Sequence, residues 1–103
     1  MLADTSDNHF DQDTGQGLTL TDFGATWCGP CHIEAPIIKG LSQNLDGQVK
    51  FFKMDVDQNP QTAQKLGIMG IPTMIIKKDG QIVKRMTGVH SSSQLKAALQ
   101  KYM

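Results

Sequence analysis

What this chain has little of narrows its class first. Its 103 residues hold only two cysteines, and both fall within five residues, "WCGPC" (Trp27 to Cys31). That excludes a secreted scaffold built on several disulfides. No apolar run approaches the roughly 18 residues a membrane span needs, so no membrane role is expected. There is no low-complexity segment, internal repeat or linker, and the hydrophobic share of 39% is ordinary. Disordered, collagen-like and coiled-coil chains are thereby excluded. The length suffices for one core and not for two, so residues 1–103 are read as a single domain. An excess of either charge is also missing. Ten basic and ten acidic side chains cancel, which gives no indication of a nucleic acid or an anionic membrane as partner.

Basic residues are absent from the first third. All ten Lys and Arg lie at or after Lys39, whereas six of the ten acids precede it. The start, "MLADTSDNHFDQDTGQG", thus lacks the basic residues and apolar stretch of a secretory signal, and a cytoplasmic location is expected. Alternating strands and helices would interleave the acidic and basic parts in space. An acidic patch near the N-terminus is the alternative.

The elements follow from periodicity. Leu2 to Thr5 is a short strand candidate, and Ser6 to Asp13 predicts one or two helical turns around Phe10. "GLTLTDF" (Gly17 to Phe23) alternates and is rich in β-branched and aromatic residues, as a strand does. From Cys28 to about Leu45, Ile33, Ile37, Leu41 and Leu45 recur at helical spacing, with a kink expected at Pro36. Gln48 to Val56 is a strand apolar on both faces, and Asn59 as side-chain cap with Pro60 at the first helical position opens a helix that stops near Gly67. "TMIIKK" and "QIVKRMT" flank Asp79-Gly80, a strong hairpin signal. Ser91 and Gln94 resemble a capping box, ahead of a stripe of Leu95, Ala98, Leu99 and Tyr102. The order β, α, β, α, β, α, β, β, α predicts an α/β fold, a mixed sheet with helices on both faces.

Three chemistries compete for the two cysteines. A tetrahedral zinc site needs four ligands. The chain offers two Cys and three unpaired histidines, His9, His32 and His90, so no metal is expected. A structural disulfide closing so short a loop would constrain the unfolded chain little. A redox pair explains the surroundings better. A strand ends in "DFGAT", and a helix begins at or next to Cys28. Free N–H groups and the positive end of a helix favour a thiolate there. Cys31 lies one turn on, within the Cα separation of about 4.4–6.8 Å that a disulfide spans. Gly29 and Pro30 suit a first turn. Cys28 is therefore expected to be the exposed nucleophile and Cys31 the more buried resolving thiol.

The segment "DFGATWCGPCHIEAPII" closely resembles the active-site segment of bacterial thioredoxins. "KMDVDQNPQTAQKLGIMGIPTMIIKKDGQIV" and the Gly88 region extend the likeness over about Ser6 to Met103. The resemblance implies a thioredoxin fold, a central mixed sheet of about five strands flanked by four helices. It implies dithiol–disulfide exchange with disulfide-containing protein substrates, by a monomer with no bound cofactor beyond the Cys28–Cys31 disulfide. An NADPH-dependent thioredoxin reductase would regenerate it, since the chain has no dinucleotide fingerprint. Asp22 matches a buried carboxylate below the second cysteine that exchanges its proton, and Lys53 matches that carboxylate's electrostatic partner. Pro72 matches a proline in cis linkage to Ile71, packed on the cysteines. By sequence statistics alone that bond would be trans, since cis is about 5–6% of X-Pro bonds. Trp27, Gly70, Gly88 and Val89 would shape an apolar docking rim around Cys28. The methionines and Phe51/Phe52 are read as core.

Two positions depart from the family. Gly24 stands where thioredoxins usually carry a large aromatic, most often Trp. A cavity beside the active-site helix, or another side chain filling it, is expected to affect stability and redox potential rather than the reaction class. His32 follows Cys31 where Lys or Arg is common, as a solvated residue or as a titratable charge near the thiols. An oxidant or isomerase on the same fold, and a binding subunit without redox turnover, are the alternative functions.

Overall fold

In the computed structural model, which describes residues 1–103, the alternating run Leu18–Gly24 forms the central strand. The elements in chain order are β1 (Leu2–Asp4), α1 (Phe10–Asp13), β2 (Leu18–Gly24), α2 (Gly29–Asn44) and β3 (Lys50–Asp55). They continue as α3 (Pro60–Lys65), β4 (Thr73–Lys78), β5 (Gln81–Thr87) and α4 (Ser92–Gln100). The sheet order is β1-β3-β2-β4-β5. β3 runs parallel to β1 and β2, and β4 antiparallel to β2 and β5. This is the expected five-stranded mixed sheet with four helices.

Both faces of the sheet are covered, so every residue from Leu18 to Phe23 is buried. Leu20, Phe51, Met74 and Ile76 face Ile38, Leu41 and Leu45 of α2 and Leu95, Ala98 and Leu99 of α4. On the other face Phe23, Met54 and Ile75 pack against Phe10 of α1, with Leu66 and Ile68 at the margin. The Phe10 and Phe23 rings meet edge-on at 5.7 Å. Each such side chain contributes roughly 1.5–3 kcal/mol on burial.

The ends follow local chemistry. Asp79 (φ 49°) and Gly80 (φ 84°) turn the hairpin, both in the left-handed region that such a two-residue turn needs. The register slips between Ile76 and Lys77, a bulge with no sequence signal. Ser91 and Gln94 form the expected reciprocal cap of α4. The acidic N-terminal segment is distributed across later elements, as interleaving predicts. Asp4 pairs with Lys53 at 3.8 Å, and Asp11 with Lys77 at 3.9 Å.

Two expectations need correction. Asn59 precedes α3 but makes no side-chain cap. Its amide is turned to the Asp55 carbonyl, and Asp7 instead accepts the N–H groups of Gln61 and Thr62 at 3.1 and 2.8 Å. The buried side of α2 is Cys31, Glu34, Ile38, Leu41 and Ser42, while Ile33 is exposed. The helix packs along a stripe displaced by one residue at its start, because Cys31 must face the sheet. Lys77, near the end of β4, is also buried. Its ammonium donates to Thr14 Oγ1 at 2.9 Å and lies 4.4 Å from the Phe10 ring centroid. Helix α2 runs on through Pro36, which is exposed.

Candidate active site

β2 delivers the chain to its C-terminal edge at Gly24, a turn follows, and Cys28 becomes the N-cap of α2. Extended backbone at Cys28 (φ −88°, ψ 111°) points its side chain back over the first turn, where the Cys31 N–H donates to Cys28 Sγ at 3.2 Å. The two cysteines form a disulfide with Cα atoms 5.3 Å apart. Pro30 occupies the first turn, where its missing N–H removes no bond. The expected difference in exposure is absent. Cys28 is 4% exposed and Cys31 8%, because both pack with Ala25 in a small apolar cluster edged by Val56 and Ile71. What distinguishes the two is the donor aimed at Cys28.

The facing wall is the loop before β4. Ile71–Pro72 is cis, and Cys28 Sγ lies 3.8 Å from the Ile71 carbonyl oxygen. Gly88 (φ 90°) donates its N–H to the Pro72 carbonyl at 2.8 Å, holding the β5–α4 loop against this wall. Thr73 Oγ1 donates to the Gly70 carbonyl. Trp27 is 70% exposed, and its indole N–H donates to Asp57 at 2.7 Å, which keeps the ring on the surface. Val89 and Ile33 are also exposed. Met69, assigned to the core by hydrophobicity, is 98% exposed. The adjoining Gly70-Ile71-Pro72 turn carries it outward.

Behind the disulfide lies a cleft of about 290 Å³ lined by Asp22, Gly24, Thr26, Cys31, His32 and Lys53 among others. A Cβ on Gly24 would lie 3.1 Å from Cys31 Sγ, so the strand and the cysteine meet closely there. Asp22 is buried, with no hydrogen-bond partner for Oδ1. Burial, and then the charge of Glu34, push its pKa up to about 7 against the opposing pull of Lys53. Lys53 stands opposite Asp22 in the strand register, but its ion pair is with Asp4. His32 is exposed and its Nε2 contacts the Thr26 carbonyl oxygen at 2.7 Å, away from the sulfurs.

Sequence reasoning missed Glu34. It is fully buried one turn beyond Cys31, and its Oε1 accepts the His90 N–H at 2.7 Å. The available signal was a lone acid three residues after the second cysteine, on that cysteine's face of the helix. Asp57, which anchors Trp27, lies in a loop and carried no such signal.

A disulfide at a helix start, backed by a buried carboxylate and faced by a cis-proline loop, defines a dithiol–disulfide oxidoreductase. The thioredoxin family model matches residues 1–101. The chain is 43% identical to the thioredoxin of Listeria monocytogenes serovar 1/2a over 103 residues, all of both chains. It is 39% identical to the thioredoxin of Staphylococcus saprophyticus over 102 residues, 99% of this chain and 98% of the relative. The thioredoxin of Staphylococcus aureus strain MW2 is 40% identical over the same lengths. The chain belongs to the thioredoxin family, and its activity is thiol–disulfide exchange on protein disulfides through Cys28 and Cys31.

Proposed function

We propose that this chain works as a reductase, a single-domain cytoplasmic monomer re-reduced by an NADPH-dependent thioredoxin reductase. The observation that carries the direction of attack is the Cys31 N–H on Cys28 Sγ at the start of α2. Such a donor stabilises a thiolate on Cys28 in the reduced protein. That thiolate attacks one sulfur of a substrate disulfide, the substrate S–S bond breaks, and a mixed disulfide forms while the other substrate sulfur leaves as thiolate. Asp22 takes the proton of the Cys31 thiol, and the Cys31 thiolate attacks Cys28 Sγ. The second substrate sulfur leaves, and the two electrons of the dithiol have passed to the substrate. Lys53 moderates the charge of Asp22, while Gly29 and Pro30 hold the first turn. Trp27, Gly70, Ile71, Pro72, Gly88 and Val89 form the rim on which substrate docks, with free backbone at Ile71 for an extended peptide.

The test is to replace Cys31 with Ser and incubate the protein with a disulfide substrate. A trapped Cys28 mixed disulfide is expected, together with wild-type reduction of insulin by dithiothreitol. Failure of Cys28 to capture substrate would sink the reading. A redox potential near the family's value of about −270 mV supports a reductase, and one far higher supports an oxidant.

A further inference from the structure

Two carboxyl groups, not one, are buried on the two elements that meet at the cysteines. Asp22 comes from β2 and Glu34 from α2, one turn beyond Cys31 on the helix face that covers the sheet. Each has one oxygen with no hydrogen-bond partner, Asp22 Oδ1 and Glu34 Oε2. Their surroundings differ in one respect that decides which is ionised. Glu34 Oε1 accepts the backbone N–H of His90 at 2.7 Å, a donor that favours a carboxylate. No hydrogen bond supports the carboxylate form of Asp22 at Oδ1. Two such groups in a dry interior do not both ionise readily, and their protons are lost in two coupled steps.

We propose that Glu34 is a positioning residue for the exchange reaction, carrying the negative charge of the buried pair so that Asp22 is the carboxyl that gains and loses a proton near neutral pH. The same carboxylate ties the cysteine helix to the docking loop. His90 donates its N–H to Glu34, and its ring Nδ1 contacts the Gly88 carbonyl oxygen at 2.8 Å. Gly88 in turn donates to Pro72 beside the disulfide. A chain of contacts therefore runs from the helix of Cys31 to the Ile71–Pro72 wall. The chemistry follows from charge. A negative Glu34 makes Asp22 a stronger base, better matched to take the proton of the Cys31 thiol near neutral pH. This rests on the assignment of that proton to Asp22 in the proposed mechanism.

The ionisable groups on the elements packed against α2 are few. Asp22 lies on β2, and Lys53, its register partner on β3, directs its ammonium to Asp4. The β5–α4 loop brings His90, whose charged form would attract Glu34, and β4 brings only Met74 opposite Asp22. α4 packs through Leu95, Ala98 and Leu99. On α2 itself, His32 is turned to Thr26. Burial raises the Glu34 pKa, and the His90 N–H and ring oppose the rise.

The deciding experiment is a carbon-13 NMR titration of the Asp22 carboxyl in oxidised wild type and E34Q. The glutamine keeps an acceptor for His90 and removes the charge. The Asp22 midpoint is expected to fall by roughly one pH unit, a tenfold loss of basicity. An unmoved midpoint overturns the proposal. A second variant, E34L, also removes the acceptor. Relative to E34Q, its KM for insulin is expected to rise about fivefold, with the KM for a small aromatic disulfide unchanged. If both KM values move together, or neither moves, the link to the docking loop is wrong. Should E34L fail to fold, the E34Q titration alone decides. Because that titration needs no turnover, its failure is separable from a failure of Cys28 to capture substrate.

Discussion

The backbone N–H of Cys31 points at the sulfur of Cys28 from 3.2 Å, across the first turn of α2. In the reduced protein that donor and the helix terminus favour a thiolate on Cys28. In Cys31→Ser, which keeps the backbone donor, alkylation of Cys28 by iodoacetamide is expected to titrate well below the ordinary thiol value of about 8.5. A midpoint at or above that value would contradict the role.

Asp22 contributes to the pH dependence of stability. Its pKa rises from 3.8 to about 7 on folding, so the folded state binds the extra proton between those values. Stability therefore falls as pH rises through that window and levels off above it. The full difference is on the order of 4 kcal/mol. Urea denaturation of Asp22→Asn is expected to show a smaller loss of stability over pH 4–7 than wild type, and greater stability than wild type at pH 8. Reduction of insulin by the variant is expected to slow, because Cys31 loses its base.

Gly24 is tested by adding one methyl group. In Gly24→Ala the new Cβ would lie 3.1 Å from Cys31 Sγ in the oxidised protein. Overpacking of this kind costs about 1–3 kcal/mol. The crowding acts on the disulfide form, so the potential is expected to rise by roughly 20–60 mV. Equilibration with glutathione measures it, and an unchanged or lower potential would show that the cleft absorbs the methyl.

Asp7 holds α3 from 54 residues away, through the N–H groups of Gln61 and Thr62. Burial alone would raise its pKa, but these hydrogen bonds outweigh that effect and lower it. The cap is therefore present above the ordinary value of 3.8 and is lost as pH falls through the lower folded value. Asp7→Ala is expected to cost about 1 kcal/mol and to lower Tm by roughly 4–8 °C. Asn59→Ala, in contrast, loses no cap to α3.

Much of the fold was legible because its signals are local. The alternation of Leu18–Phe23, the Asp79-Gly80 turn, and the Ser91/Gln94 box each act within a few residues of themselves. Asn59 misled because a cap can come from anywhere that reaches the helix, and here Asp7 reaches it first. Met69 misled because hydrophobicity measures a preference for burial, whereas a turn decides whether that preference is met.

The sequence by itself determined the reaction centre. Two cysteines three residues apart, with Gly29-Pro30 between them at a strand-to-helix junction, suffice for a reversible disulfide, since helix geometry alone brings the Cα atoms within range. Only tertiary structure decided what surrounds it. Both cysteines pack with Ala25 in a small apolar cluster, Lys53 reaches Asp4, and Asp22 and Glu34 are both buried. Desolvation and charge depend on which distant segments are packed together, and spacing along the chain does not specify that.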